Sequence, residues 1–312
     1  MGPDLADTAQ ADSVSTDSAA TALLAWFRRY SRVRVAFSGG VDSSLVLAAA
    51  ARALGPASVE AVTAVSESLP SGMLTAARQL AAALGVSHTE LVTRELDNPG
   101  YAANGADRCY FCKATLIDTV ARLGDGPMHP RGAPSAPGTP QTPLAETPRP
   151  MLVTGTNADD VRAGWRPGIR AAAERGAGTP LADTGMTKAA VRALSREWGL
   201  PTWDRPASPC LSSRIAYGVQ ITPARLARVD AAEQGVRAAL SEAGLDVRDL
   251  RVRDLGDAVR LEVDAPAVAA VRQVGAVAPA IAAAGFGAAA VEVTPFRSGS
   301  LNAALPADQR FR

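Results

Sequence analysis

The sequence predicts an α/β fold, a parallel sheet with helices on both faces in the manner of the adenine-nucleotide alpha-hydrolase layout, followed by a smaller α+β unit. Three observations predict it. Short β-branched runs alternate with helical segments between Arg32 and Trp198, which implies right-handed crossovers between parallel strands. The first run stops abruptly at Ser38-Gly39-Gly40 and a helix follows at once. After Pro206 the order changes to helix, strand pair, helix and strand, as in a small α+β domain.

Taken in order, residues 1–20 are acidic and rich in Ser, Thr and Ala, and they are expected to form a disordered tail. An amphipathic helix is expected at Thr21–Tyr30 and a buried strand at Val33–Phe37. Helix Ser43–Leu54, strand Val59–Val65, helix Met73–Leu84, strand Thr89–Thr93 and helix Cys109–Leu123 continue the alternation. Pro recurs too often between Pro127 and Pro150 for sheet pairing, so 127–150 reads as a flexible insertion, with His129 in solvated loop. Strand Met151–Gly155 and helix Lys188–Trp198, opened by Thr187, complete a first domain over 21–205. The second, 206–312, offers helix Pro223–Ala243, strands Leu250–Asp254 and Ala258–Val263 joined at Gly256, a helix from Pro266, and strand Ala289–Val293. Trp165, Trp198 and Trp203 are assigned to packing.

Composition bounds the function. A hydrophobic share of 47% with 20% charge excludes wholesale disorder, and an aromatic share of 4% means cores of Ala, Val and Leu. Net charge is +1, which argues against nucleic acid or an anionic membrane held by bulk charge. Three cysteines cannot staple 312 residues, so a reducing, cytoplasmic compartment and metal or redox chemistry are expected. Neither a signal peptide nor a spanning helix is found; residues 273–291 are uncharged but interrupted by Pro279 and glycines.

The most informative segment is Ser38-Gly39-Gly40-Val41-Asp42-Ser43-Ser44. Leaving a strand and entering a helix, it points backbone N–H groups at one spot with the positive end of the helix dipole behind them. Gly39 and Gly40 let an anion reach the backbone, and Ser38, Ser43 and Ser44 add hydroxyl donors. Asp42 would repel a bare phosphate, so a bound Mg²⁺ is the simplest account of it. Neither the common P-loop spacing nor the dinucleotide fingerprint is present.

This loop resembles that of the N-type ATP pyrophosphatases, the PP-loop enzymes, which split ATP between the α and β phosphates to adenylate a substrate. Further segments narrow the resemblance: Arg108-Cys109-Tyr110-Phe111-Cys112-Lys113, Thr154 to Asp160, Arg166-Pro167-Gly168, Gly199 to Asp204, and Pro206 to Arg214. Together they are similar to the ATP-dependent sulfur transferases of the LarE type. The resemblance implies ATP and Mg²⁺ as cofactors and pyridinium-3,5-biscarboxylic acid mononucleotide as substrate. Its carboxylates would be adenylated and converted to thiocarboxylates during nickel-pincer nucleotide synthesis. It also implies a homohexamer and a working connection with other enzymes of that synthesis.

Two sulfur chemistries are open. In the sacrificial version a cysteine gives up its own sulfur, and the family's donor aligns with Pro209, one position before Cys210. In the other, Cys109, Cys112 and Cys210 hold a four-iron, four-sulfur cluster whose open iron carries an exchangeable sulfide. The cysteine pattern favours the cluster; sacrifice at Cys210, zinc, a redox pair or inert thiols are the alternatives. Ser212, Ser213, Arg214, Glu233, Arg251 and Arg253 are expected to line the substrate site, with Arg214 gripping the nucleotide phosphate. Asp159 and Asp160 follow a strand end, where ligands of α/β folds sit, and Arg297 is expected at a phosphate or subunit contact. A transfer-RNA thiolase of the same superfamily is the rival reading, and the near-neutral chain with no spare cysteines argues against it.

Overall fold

The computed structural model describes residues 5–124, 149–164 and 166–306. Most of the Pro-rich insertion, His129 and Trp165 therefore lie outside the described residues. The first domain comprises α1 (Leu5–Phe27), β1 (Val33–Ala36), α2 (Val41–Leu54), β2 (Val59–Val65), α3 (Met73–Ala83), β3 (Ser87–Val92), α4 (Pro99–Ala102) and α5 (Arg108–Ala121). It continues through β4 (Met151–Val153), α6 (Ala158–Arg162), α7 (Pro167–Glu174), α8 (Pro180–Asp183) and α9 (Lys188–Glu197). Its four strands pair in parallel in the order β3-β2-β1-β4, as the alternation of strand and helix requires.

Central β1 is covered on both faces, and Val33 and Val35 are fully buried. Its one charge, Arg34, stands in register with Glu60 of β2 and pairs with it at 2.6 Å, so neither buried charge is left alone. Leu23 and Phe27 of α1, Leu45 and Leu47 of α2, and Val191 and Leu194 of α9 close a core against that strand. The expected disordered tail is corrected in part: α1 begins at Leu5, sixteen residues before Thr21. An Ala-rich stretch with acidic residues near its start and no proline after Pro3 suits a helix N-terminus.

The second unit contains α10 (Pro223–Glu242), β5 (Leu250–Asp254), β6 (Val259–Val263), α11 (Val268–Val271), α12 (Val277–Ile281) and β7 (Val291–Pro295). β5 and β6 are antiparallel, β7 joins β6 in parallel, and α10 lies across them, sharing a core in which its Val236 and Leu240 meet Val252 and Leu261. A third cluster, Tyr101 with Leu211, Ile215, Ile221, Leu226 and Val229, joins the two units. No helix among the described residues is long and apolar enough to cross a membrane.

Candidate active site

Where β1 ends, Phe37 N–H donates to the Val62 carbonyl, and the chain then leaves the sheet at Ser38. Gly39 has φ +72°, a left-handed conformation that favours glycine, and the Arg205 guanidinium holds its carbonyl at 2.8 Å. Gly40 precedes α2 without a side-chain cap, so the first amides of the helix keep their donors for a ligand. The Ser43 hydroxyl fastens the turn by donating to the Gly40 carbonyl at 3.1 Å and lying 3.2 Å from Ser38 Oγ. Ser44 is different: its hydroxyl is fully buried beneath the loop and does not line the cavity.

Asp42 opens toward the site, where its carboxylate accepts from Asn157 Nδ2 at 3.1 Å and pairs with Lys188 Nζ at 2.5 Å. Asn157 is held by its own capping box at the start of α6, which also uses Asp160. Lys188 begins α9, with its backbone N–H donating to Asp159 Oδ2 at 2.7 Å. Asp159 thus anchors a helix start. Asp160 lines the cavity and lies 3.4 Å from Arg166.

A single cavity of about 490 Å³ joins this loop to the cysteines. Ser38, Gly40, Asp42 and Ser43 line one part, and Cys109, Cys112 and Cys210 line another. Cys109 and Cys112 sit one turn apart at the start of α5, a spacing that places both on one face. Helix α7 packs so closely over this turn that a Cβ on Gly168 would stand 3.2 Å from the Cys109 carbonyl. Cys210 precedes the 3₁₀ turn Leu211–Arg214, and its carbonyl accepts from the Ser213 hydroxyl at 2.7 Å. Burial pushes the Cys109 thiol up from its ordinary value, against the opposing pull of Arg108. Burial pushes Cys112 up as well, reinforced by Cys210 and then Glu95.

None of Ser212, Ser213, Arg214, Glu233, Arg251 and Arg253 is among the residues that line this cavity; they lie next to its Cys210 wall. Arg214 is 1% exposed; it pairs with Glu233 at 2.9 Å and also donates to the carbonyls of Pro209 and Cys210. Glu233 in turn accepts from Val252 N–H, fastening α10 to β5. Arg253 bridges Glu262 and the Ser213 carbonyl, Arg251 reaches the Ala207 carbonyl, and Ser212 meets the Tyr101 hydroxyl. These side chains brace the Cys210 turn from below: a guanidinium has five donors in a fixed fork, and here they are spent on carbonyls and carboxylates.

Trp198 packs under Arg52, whose guanidinium lies 3.8 Å from its ring, whereas Trp203 is partly exposed beside Arg196. Sequence reasoning passed over Lys188, Asn157 as a partner of Asp42, Arg205 and Glu95. Thr187-Lys188 at a helix start was the one available signal for the lysine. Among the described residues no three Cys, His, Asp or Glu side chains are close enough to share a single ion.

Comparison with known proteins places the site in context. The family model for asparagine synthase matches residues 27–100, the segment that contains the loop. A protein of Synechocystis sp. described as uncharacterized is 40% identical over 238 residues, covering 76% of this chain and 78% of the relative. Pyridinium-3,5-bisthiocarboxylic acid mononucleotide synthase of Lactiplantibacillus plantarum is 33% identical over 241 residues, covering 77% and 78%.

Proposed function

The chain belongs to the LarE-type family of ATP-dependent sulfur transferases, enzymes built on a PP-loop domain, and from that membership we propose that it converts carboxylates of a pyridinium mononucleotide to thiocarboxylates. The observation that carries the proposal is the shared cavity, in which the phosphate loop and three thiols face one space. ATP would place its pyrophosphate on the free amides after Gly40. Lys188 would then turn from Asp42 toward the phosphates, leaving the aspartate to face Mg²⁺.

A substrate carboxylate oxygen attacks the α phosphorus and the bond to the β phosphate breaks, so pyrophosphate leaves and an acyl adenylate remains. A sulfur nucleophile then attacks the activated carbonyl, and AMP departs with the electron pair of the broken C–O bond. Three cysteines that line one cavity are the donor set that the four-iron, four-sulfur reading requires: soft sulfur ligands suited to an iron–sulfur cluster. When bound to Cys109, Cys112 and Cys210, such a cluster would supply an exchangeable sulfide at its open iron. The chain's own contribution is to pack α7 closely over the Cys109 turn and to hold the Cys210 turn through Arg214.

The test uses anaerobically purified protein with ATP, Mg²⁺, sulfide and the pyridinium dicarboxylate mononucleotide, followed by mass spectrometry. AMP, pyrophosphate and a thiocarboxylate product are expected. Adenylation of transfer RNA in place of the mononucleotide would establish the thiolase instead, and conversion of Cys210 to dehydroalanine in each product-forming chain, with its sulfur carried into the thiocarboxylate, would establish sacrifice. The cytoplasmic location, the homohexamer and the connection with other nickel-pincer enzymes are further parts of this proposal.

A further inference from the structure

Glu95 has no role in the chemistry above, yet it is the most anomalous side chain in the cavity. It is 3% exposed, it lines the same space as Cys109, Cys112 and Cys210, and it lies in the 3₁₀ turn Glu95–Asp97 between β3 and α4. The Thr93 hydroxyl, itself buried, donates to Oε1 at 2.7 Å and so fixes the carboxylate plane. Its other oxygen, Oε2, is buried and has no hydrogen-bond partner among the described residues. A carboxylate oxygen taken out of water without a partner is costly, and native proteins satisfy nearly all such atoms. The same carboxylate is near enough to Cys112 to act on that thiol's charge.

Three thiolates leave one iron of a four-iron, four-sulfur cluster without a protein ligand. We propose that Glu95 is the fourth protein donor of this site: its Oε2 occupies the open iron of the resting cluster and is displaced when sulfide arrives. This inference rests on the cluster reading of the three cysteines. Iron provides the cation that the buried carboxylate otherwise lacks. The choice of donor also suits exchange, because a hard carboxylate oxygen yields an iron position to a softer sulfur donor. In the exchange the iron–oxygen bond breaks with its electron pair returning to the carboxylate, hydrosulfide forms the iron–sulfur bond, and no electron is transferred. Thr93 keeps the departing carboxylate beside the site, ready to close it again after sulfur has left.

The experiment loads the full chain anaerobically with isotopically enriched iron and sulfide, as wild type, Glu95→Gln and Glu95→Asp. Iron and sulfide content, Mössbauer spectra and the spectroscopic titration of the cluster with hydrosulfide are then compared. In the wild type, one iron should differ from the others and should change on hydrosulfide addition. Glu95→Gln should keep full iron content, lose that distinct resting signature and bind hydrosulfide roughly tenfold more tightly, as follows if the carboxylate-free form is about a tenth of the wild-type population. Glu95→Asp, which keeps an oxygen donor, should fall between the two. A wild type whose irons are alike and unmoved by hydrosulfide overturns the proposal without any variant. So does a Glu95→Gln protein with full iron, wild-type spectra and wild-type hydrosulfide affinity, and in that case the cluster reading stands. If no variant holds iron while the mononucleotide is still adenylated, the cluster reading falls and this inference with it.

Discussion

Gly155 offers a direct test of whether the loop after β1 binds the nucleotide. It follows β4, and a Cβ built on it would stand 2.8 Å from the Ser43 backbone nitrogen and 3.1 Å from Asp42 Cβ. Ordinary contact begins near 3.4 Å, so Gly155→Ala must drive the start of α2 and the strand end apart by about 0.6 Å. The atoms it meets are backbone, and they include the amide of a loop that has to converge on one phosphate. Overpacking of this kind costs about 1–3 kcal/mol. Where the displaced loop must return to its original shape to grip ATP, that cost appears in binding, as about 5- to 150-fold weaker affinity. Titration calorimetry with Mg-ATP measures it, and Gly275→Ala, whose Cβ would meet nothing within 4 Å, is the control. If Gly155→Ala binds ATP as the wild type does, whether or not its melting temperature falls, the loop is not the nucleotide site and the reasoning fails.

Three other outcomes are expected. Lys188→Met removes the 2.5 Å partner of Asp42 and should weaken ATP binding about tenfold without unfolding the chain, as read by titration; unchanged affinity would assign the lysine to helix α9 alone. Arg214→Ala strands Glu233 in a buried site and should lower stability by about 3–5 kcal/mol in urea, with Arg214→Lys recovering only part because an ammonium cannot span the carboxylate and two carbonyls together. Burial holds the His88 imidazole below its ordinary value, with Glu90 raising and Arg78 lowering it, so its contribution is whole above the unfolded-state value and is lost as pH falls through the folded one. The wild-type melting temperature should therefore drop more steeply than that of His88→Gln between about pH 7 and pH 5; parallel curves would refute it.

The parallel sheet was legible because short runs rich in Val and Thr alternate with longer helical segments, and the first of them stops at Ser38-Gly39-Gly40. The loop after β1 was legible for the same local reason. The short helices α6, α7 and α8 were not, since four to eight residues give no periodicity and their starts depend on caps such as the Asn157 box. The helix expected from Pro266 is broken into α11, α12 and a π turn, because Pro279 and Gly285, with φ +100°, prevent continuous winding. The expectation that Arg214 grips a phosphate comes from its place beside Ser212 and Ser213. Its pairing with Glu233, nineteen residues on, is set by how α10 crosses β5, and no local pattern encodes that.

The convergence of thiols from two distant segments has a structural cause at Asn104. It is the one non-glycine residue with positive φ among the described residues, at 57°, a conformation asparagine tolerates better than other side chains. In that pose its side-chain amide donates at 2.8 Å to the carbonyls of both Ala216 and Val219, while its carbonyl oxygen accepts from Arg108 at 2.5 Å. The backbone adds Gly218 N–H to the Asn104 carbonyl and Ile221 N–H to the Ala102 carbonyl. One buried side chain thus ties the residue before Cys109 to the strand of chain that follows Cys210, and Tyr101 with Ser212 closes the same junction from the other side. A hinge at this junction would separate Cys210 from the other two thiols. Buried polar bonds cannot be released there without leaving donors unpaired, which costs more than a surface hinge supplies. The Cys109 turn and the segment that follows Cys210 are accordingly held in fixed relation to one another.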